Sequence, residues 1–141
     1  MSQENVEMVR RWVAAINRGD ADELIALADS SIDYLPYLGS VSGEAGAYRG
    51  HEGVRRYVND LREAWSAYSV EIHTLEDLGD DVLMEGRLRA TGKSSGLEVD
   101  AEMAWLHSFL PGQGEGRYAR LRFFPNRDDA LAAARSAADK R

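Results

Sequence analysis

The chain has 141 residues, 24 acidic against 17 basic side chains and a formal charge of −7, and 44% of its residues are hydrophobic. This balance predicts one domain over residues 1–141, with a core large enough to leave room for an internal pocket. The negative charge argues against nucleic-acid binding, and the lack of cysteine excludes disulfides, thiolate metal sites and cysteine nucleophiles. A polar N-terminus and short apolar runs predict a cytoplasmic protein without a secretory signal or a membrane span.

The first part of the chain predicts three helices and one short strand. Apolar residues spaced by three and four predict an amphipathic helix over 3–18, and Asp20 is suited to cap a second, short helix. Residues 31–35 suit an edge strand, because Pro36 follows them and lacks a backbone donor. Glycines without periodicity predict a long surface loop over 36–50, and a single apolar stripe predicts a third helix over 51–66.

From residue 68 the hydrophobic period changes to that of strands. Four segments rich in Val, Leu and aromatic residues are separated by turn residues, which predicts an antiparallel meander. The segments are 68–78, 81–91, 97–110 and 117–125. Asn126 can cap a last helix reaching about residue 138, so the helix and its tail occupy 126–141. The three earlier helices must cover one face of the meander, which defines an α+β fold.

Five stretches carry a resemblance to a known family. They are Trp12–Asp20, Tyr48–Arg55, Gly86–Arg89, Ser95–Asp100 and Arg127–Leu131. With the order of helices and strands, they resemble the SnoaL-like branch of the nuclear transport factor 2-like superfamily over nearly the whole chain. The resemblance implies a cone of curved antiparallel sheet, made of the meander and one short strand and covered by three N-terminal helices, with a short C-terminal helix. Relatives use the interior for polyketide cyclisation, steroid isomerisation, epoxide hydration or ligand binding, and the fold alone does not choose among these.

The catalytic residues of ketosteroid isomerases, which the chain resembles in outline, are replaced here. The resemblance places Trp12 at a Tyr of the oxyanion hole, Trp105 at its protonated Asp and Tyr34 at the Asp that moves the proton. An indole only donates hydrogen bonds, and a tyrosine with an ordinary pKa near ~10 is a weak base at neutral pH. Isomerase chemistry of that type is therefore not expected.

Limonene-type epoxide hydrolases, which the chain also resembles, direct attention to the second meander strand. Arg87 and Arg89 stand where those enzymes have an Arg-x-Asp pair, and Phe123 stands at a further Asp, so the acid and base carboxylates are missing. The comparison implies that Glu85, Arg87 and Arg89 face the interior, where they would fix a ligand carboxylate or enolate. A solvated strand face is the alternative interpretation.

Strand alternation on the third meander strand places His107 on the same face as Met103, Trp105 and Phe109. The resemblance directs this face into the cone. His107 is then the best candidate general acid or base, assisted by Tyr34, while a core histidine bonded to a backbone carbonyl is the alternative. The spacing of histidines and carboxylates shows no metal motif, and no cofactor is expected.

Aromatic side chains from several elements, including Tyr34 and Trp65, converge on this interior and favour a flat, largely apolar ligand held by stacking. A filled core is the alternative for each of them. The predicted ligand-binding residues are Trp12, Tyr37, Tyr57, Glu85, Arg87, Arg89, Met103, Trp105 and Phe123. The opposite sheet face carries Leu106, Leu110 and Phe124, which predicts a homodimer through that face.

The sequence leaves two functions open. The leading hypothesis is a cofactor-independent isomerase, cyclase or hydrolase that acts on a small hydrophobic metabolite carrying a carbonyl group, with His107 and Tyr34 assisting proton transfer. The alternative is a non-catalytic domain that binds a small molecule or serves as a dimeric scaffold.

Overall fold

The computed structural model describes residues 2–35 and 48–139. In chain order the described elements are α1 (Ser2–Arg18), α2 (Ala21–Leu27), β1 (Ala28–Leu35), β2 (Tyr48–Arg49), α3 (Gly50–Ala64), β3 (Trp65–Asp77), β4 (Asp81–Gly92), β5 (Glu98–Phe109), β6 (Tyr118–Phe124) and α4 (Arg127–Asp139). Tyr37 and most of the predicted surface loop lie outside the described residues, while 48–49 form β2 and residue 50 begins α3. Within the described ranges, none of the helices is long and apolar enough to cross a membrane.

The strands form one curved sheet in the order β2-β1-β6-β5-β4-β3. The meander from β3 to β6 is antiparallel, as predicted. β1 joins it in parallel to β6, with Tyr34 opposite Leu121, so the sheet is mixed. The other side of β1 pairs with β2, so the prediction of an edge strand is wrong. The complete burial of Ile32 and Tyr34 fits this inner position.

Helices α1, α2 and α3 lie on one face of the sheet, as the sequence predicts. The stripe of α1 that includes Val9, Trp12 and Ile16 is buried against the strands. Gly19, with a φ of +67°, ends α1 in the left-handed conformation that glycine adopts readily. Asp20 then caps α2, because its Oδ1 accepts the backbone N–H of Glu23 at 3.1 Å.

A glycine on β4 is required by the close approach of the neighbouring strand. The register of β3 against β4 shifts at His73, which is a bulge opposite Gly86. A Cβ at Gly86 would lie 2.0 Å from the carbonyl oxygen of Glu71 and 3.4 Å from the ring of Trp105. Bulges bend the strand that carries them. The glycine therefore permits the close approach of the two strands at this bulge, next to the ring of Trp105.

The outer face of the sheet is partly covered by the C-terminal helix. Leu106 is fully buried there beside Leu83, and both pack beneath Ala130 and Ala134 of α4. Small side chains let this helix approach the strands closely. The helix is capped as predicted, since Asn126 accepts the backbone N–H of Asp129 at 2.9 Å.

This cover changes the interpretation of the predicted dimer face. Leu106 has no exposed surface, and Phe124 packs against the same buried group as α4. The premise that these apolar residues are left bare is therefore wrong, because the chain covers them with its own helix. Leu110, the residue that follows β5, is 42% exposed. Dimerisation itself stays a prediction.

Candidate functional site

Aromatic rings from two helices and three strands meet on the helix-covered face of the sheet. We call them the interior cluster: Trp12 of α1, Tyr34 of β1, Tyr57 of α3, Trp105 and His107 of β5, and Tyr118 and Phe123 of β6. All of them are buried. Regular alternation along β5 brings Trp105 and His107 to the same face, as the sequence predicts.

Two predicted ligand anchors satisfy each other instead. The indole N–H of Trp12 donates to the hydroxyl of Tyr34 at 2.6 Å, and the two rings meet edge-on with centroids 6.2 Å apart. Tyr57 packs edge-on against Tyr34, with centroids 5.2 Å apart. Burial raises the pKa of Tyr34 above its ordinary value, more than the bond from Trp12 lowers it. The hydroxyl therefore stays protonated at neutral pH and is not a base.

His107 is held by a side chain rather than by the backbone. Its Nδ1 is hydrogen-bonded to the hydroxyl of Tyr118, and its ring lies edge-on to Trp12 with centroids 5.3 Å apart. Burial lowers the pKa of His107 to about 3. The imidazole is therefore neutral at neutral pH. Its two tautomers differ in whether Tyr118 donates or accepts the bond at Nδ1.

Two buried polar atoms of the cluster have no hydrogen-bond partner among the described residues. They are Nε1 of Trp105 and Nε2 of His107, two positions apart on the same face of β5. The ring of Trp105 packs on Phe123, with centroids 5.9 Å apart. An unsatisfied buried donor or acceptor costs about 1–3 kcal/mol, and most buried polar atoms avoid that cost. The pair is therefore an unusual polar feature of an otherwise apolar interior.

The interior cluster is electrically neutral. Burial raises the pKa of Tyr57 and of Tyr118 well above the ordinary value, so both hydroxyls stay protonated. With His107 also neutral, the cluster offers hydrogen bonds and aromatic contact rather than charge. The described residues contain no group of three or more His, Asp or Glu side chains that could hold a metal ion.

Three predicted site residues lie outside this interior. Arg87 and Arg89 are on the outer face of β4, where Arg87 forms ion pairs with Asp100, 2.5 Å away, and with Glu102. Glu85 is on the same face, 3.5 Å from the first arginine of α4. The prediction that they face inward is wrong, because the alternate residues of β4 take the buried positions.

Tyr118 was not predicted from the sequence. Counting back from Phe123 in steps of two passes over Tyr118, which would then face outward. The register of β6 against β5 shifts near Ala119, and this irregularity brings both Tyr118 and Leu121 to the buried side. The sequence carries no clear signal for such a shift.

The remaining predicted residues divide between two places. Tyr57 and Phe123 lie in the cluster, and Met103 packs against its edge, partly buried. Trp65 lies elsewhere, at the junction of α3 and β3, where it lines a surface groove. The prediction that Trp65 converges with the other aromatic rings is therefore wrong.

Comparison with known proteins agrees with this architecture. Similar solved structures include a nuclear transport factor 2-like protein of unknown function from Burkholderia pseudomallei, with a TM-score of 0.73 and 16% identity, covering 92% of this chain and 95% of that one. A putative SnoaL-like polyketide cyclase from Jannaschia sp. CCS1 has a TM-score of 0.70 and 20% identity, covering 94% and 90%. A protein of ketosteroid isomerase-like fold from Catenulispora acidiphila, in complex with trimethylamine, has a TM-score of 0.69 and 19% identity, covering 89% and 90%.

Identities this low show a common fold and leave the activity open. No curated protein matches the chain. Residues 9–121, most of the chain, match the model of the SnoaL-like domain. The chain therefore belongs to the SnoaL-like domain family.

Proposed function

We propose that the protein binds a small, largely apolar molecule that carries a carbonyl group, and that it does so within the interior cluster. The observation that carries this proposal is the unpartnered pair, Nε1 of Trp105 and Nε2 of His107. Because an indole nitrogen only donates, the ligand must present an acceptor to Trp105. A carbonyl oxygen is a good acceptor that brings no charge into apolar surroundings.

The neutral imidazole of His107 fits such a ligand in either tautomer. When the hydroxyl of Tyr118 donates to Nδ1, Nε2 carries the proton, and Trp105 and His107 each offer one N–H donor. When Nδ1 donates to Tyr118, Nε2 accepts a bond from a hydroxyl of the ligand. A ketone beside an enol or a hydroxyl group satisfies both arrangements.

The rest of the cluster supports an apolar, flat ligand body. Its rings are neutral, and none of its described members offers a charge to pair with an ionic ligand. Ligand-binding pockets in general use aromatic walls for affinity and a few polar atoms for orientation. A putative polyketide cyclase among the similar structures is consistent with a carbonyl-bearing ligand.

The second candidate is catalysis by the same pair. An enolate oxygen that accepted from both nitrogens would be stabilised, and a neutral imidazole can act as the electrophile. Proton abstraction also needs a base, and the hydroxyls of Tyr34, Tyr57 and Tyr118 all stay protonated. Binding without turnover is for this reason the leading proposal.

The probe for binding is 1-tetralone, with tetralin as the matched compound that lacks the carbonyl oxygen. We expect 1-tetralone to shift the indole N–H resonance of Trp105 in NMR spectra. Trp105→Phe keeps an aromatic ring and removes the donor, so it should weaken 1-tetralone roughly fivefold or more. Trp65→Phe, outside the cluster, should leave affinity unchanged. Equal affinity for tetralin and 1-tetralone would refute the proposal.

Deuterium exchange at the α-carbon of 1-tetralone separates binding from catalysis. If the protein only binds 1-tetralone, the rate of exchange should equal the rate measured in buffer without protein. Proton transfer assisted by His107 should accelerate it by about 10²-fold or more, and His107→Ala should abolish the acceleration. Acceleration that depends on His107 would replace the leading proposal with the catalytic one.

A further inference from the structure

A surface groove lies where the C-terminal ends of α1 and α3 meet the start of β3, and its described lining shares no residue with the interior cluster. It has a volume of about 210 Å³. Apolar walls come from Ile16, Leu61, Trp65 and Tyr68, and two arginines, Arg18 and Arg62, also line it. We call it the α1–α3 groove. The described residues that line it include no carboxylate, although the protein as a whole carries a charge of −7.

The two arginines of the groove differ in how their charges are matched. Arg18 pairs with Asp20 at 3.1 Å. Arg62 forms no ion pair with any carboxylate in the described part of the chain, and its Nη2 donates to the carbonyl oxygen of Gly19 at 2.6 Å. That bond holds the guanidinium beside Gly19, where a Cβ would lie only 3.0 Å from Nη2. Arg62 is therefore a positioned cation with N–H groups left to donate.

The groove has a fixed frame. The side chain of Asn17 donates to the carbonyl oxygen of Val70 at 2.9 Å and accepts the N–H of the same residue at 2.8 Å, which ties α1 to β3. The hydroxyl of Tyr68 lies 3.5 Å from that of Tyr57, so the wall of the groove rests on the interior cluster. A preformed frame reduces the ordering that a ligand must impose when it binds.

We propose that the α1–α3 groove is a second binding site, for a small aromatic monocarboxylate. The carboxylate pairs with Arg62, whose planar guanidinium suits two parallel hydrogen bonds. The ring lies against the apolar wall that includes Trp65 and Leu61. The volume is below the roughly 300–1,000 Å³ of pockets for larger ligands, so a single ring with a short side chain is the size that fits.

The probe is phenylacetate, titrated into ¹⁵N-labelled protein and followed through the indole N–H resonances of the three tryptophans. We expect the Trp65 resonance to shift, and Trp65→Phe assigns it. Arg62→Gln should weaken binding roughly tenfold or more, because a charge-assisted bond is lost. Arg10→Gln removes one positive charge from an exposed position on α1 and serves as the matched control.

Phenylacetamide, which keeps the ring and lacks the charge, should bind the unaltered protein roughly tenfold more weakly than phenylacetate. This comparison tests the proposal even if Arg62→Gln does not fold. No binding of phenylacetate at about 10 mM, or equal affinity for the amide, overturns it. A shift of Trp105 in place of Trp65 also overturns it, because the ligand would then occupy the interior cluster. The binding of 1-tetralone is judged at Trp105, so either proposal can fail alone.

Discussion

The buried, neutral His107 makes the stability of the protein depend on pH in a defined direction. The pKa of His107 is about 3 in the folded protein and near its ordinary value of about 6.5 in the unfolded chain. Above pH 6.5 neither state binds the proton. Below it the unfolded chain takes up a proton that the folded protein cannot, so stability is lost as the pH falls toward 3.

The size of the loss follows from the difference between the two pKa values. Each pH unit below 6.5 costs about 1.4 kcal/mol until the folded protein also binds the proton. At pH 5 the free energy of unfolding should therefore be about 2 kcal/mol smaller than at pH 8 because of this one side chain. Hydrogen bonds and ion pairs lower the pKa values of Asp20 and Asp100, but these carboxylates lose their contribution only at lower pH.

The assay is urea denaturation at pH 8 and pH 5, with His107→Gln as the comparison. Glutamine cannot take up a proton, and His51 and His73 remain in both proteins, so the difference between the two pH dependences isolates His107. The unaltered protein should lose about 2 kcal/mol more than the variant. If the variant does not fold, NMR of the unaltered protein gives the same answer, since the ring resonances of His107 should not move between pH 8 and 5. A folded-state titration near pH 6.5 would show that the site is hydrated and the reasoning wrong.

Two substitutions test the packing around the cluster, each by urea denaturation. Gly86→Ala should cost more than about 2 kcal/mol, because a Cβ 2.0 Å from the carbonyl oxygen of Glu71 must push β3 away, and unchanged stability would contradict the bulge geometry. Tyr34→Phe should cost about 1–3 kcal/mol by leaving the N–H of Trp12 without an acceptor. Tyr57→Phe removes a long and therefore weak hydrogen bond of 3.5 Å, so it should lower the free energy of unfolding less. Equal losses of stability in the two variants would count against the bond between Trp12 and Tyr34.

Local patterns in the sequence locate the helices and the meander because each element repeats its own period. The first helix is predicted over 3–18 and observed as Ser2–Arg18, and the second meander strand is predicted over 81–91 and observed as Asp81–Gly92. The partner of β1 has no local signal, because β6 lies at the other end of the chain. The cover over Leu106 was missed for a related reason, since small alanines give a weak apolar stripe.

The residues of the candidate site also divide into those that local patterns place correctly and those that depend on distant pairing. Trp105 and His107 are placed correctly because β5 is regular through them, and alternation then decides their common face. Alternation does not say which face of a strand is inside, and Arg87 lies on the outer face, where carboxylates on β5 pair with it. Tyr118 depends on a register shift, which arises from pairing with β5 rather than from its neighbours in sequence.

The parallel pairing of β1 with β6 also limits the order in which the chain can fold. Until β6 has left the ribosome, β1 has only the two residues of β2 to pair with. Closing the long segment between β1 and β6 costs chain entropy that local contacts do not offset, so this pairing should come late. Tyr34 and Tyr118 stand on these two strands. The interior cluster is therefore completed in the same step that completes the sheet, and a nascent chain that ends before β6 has neither.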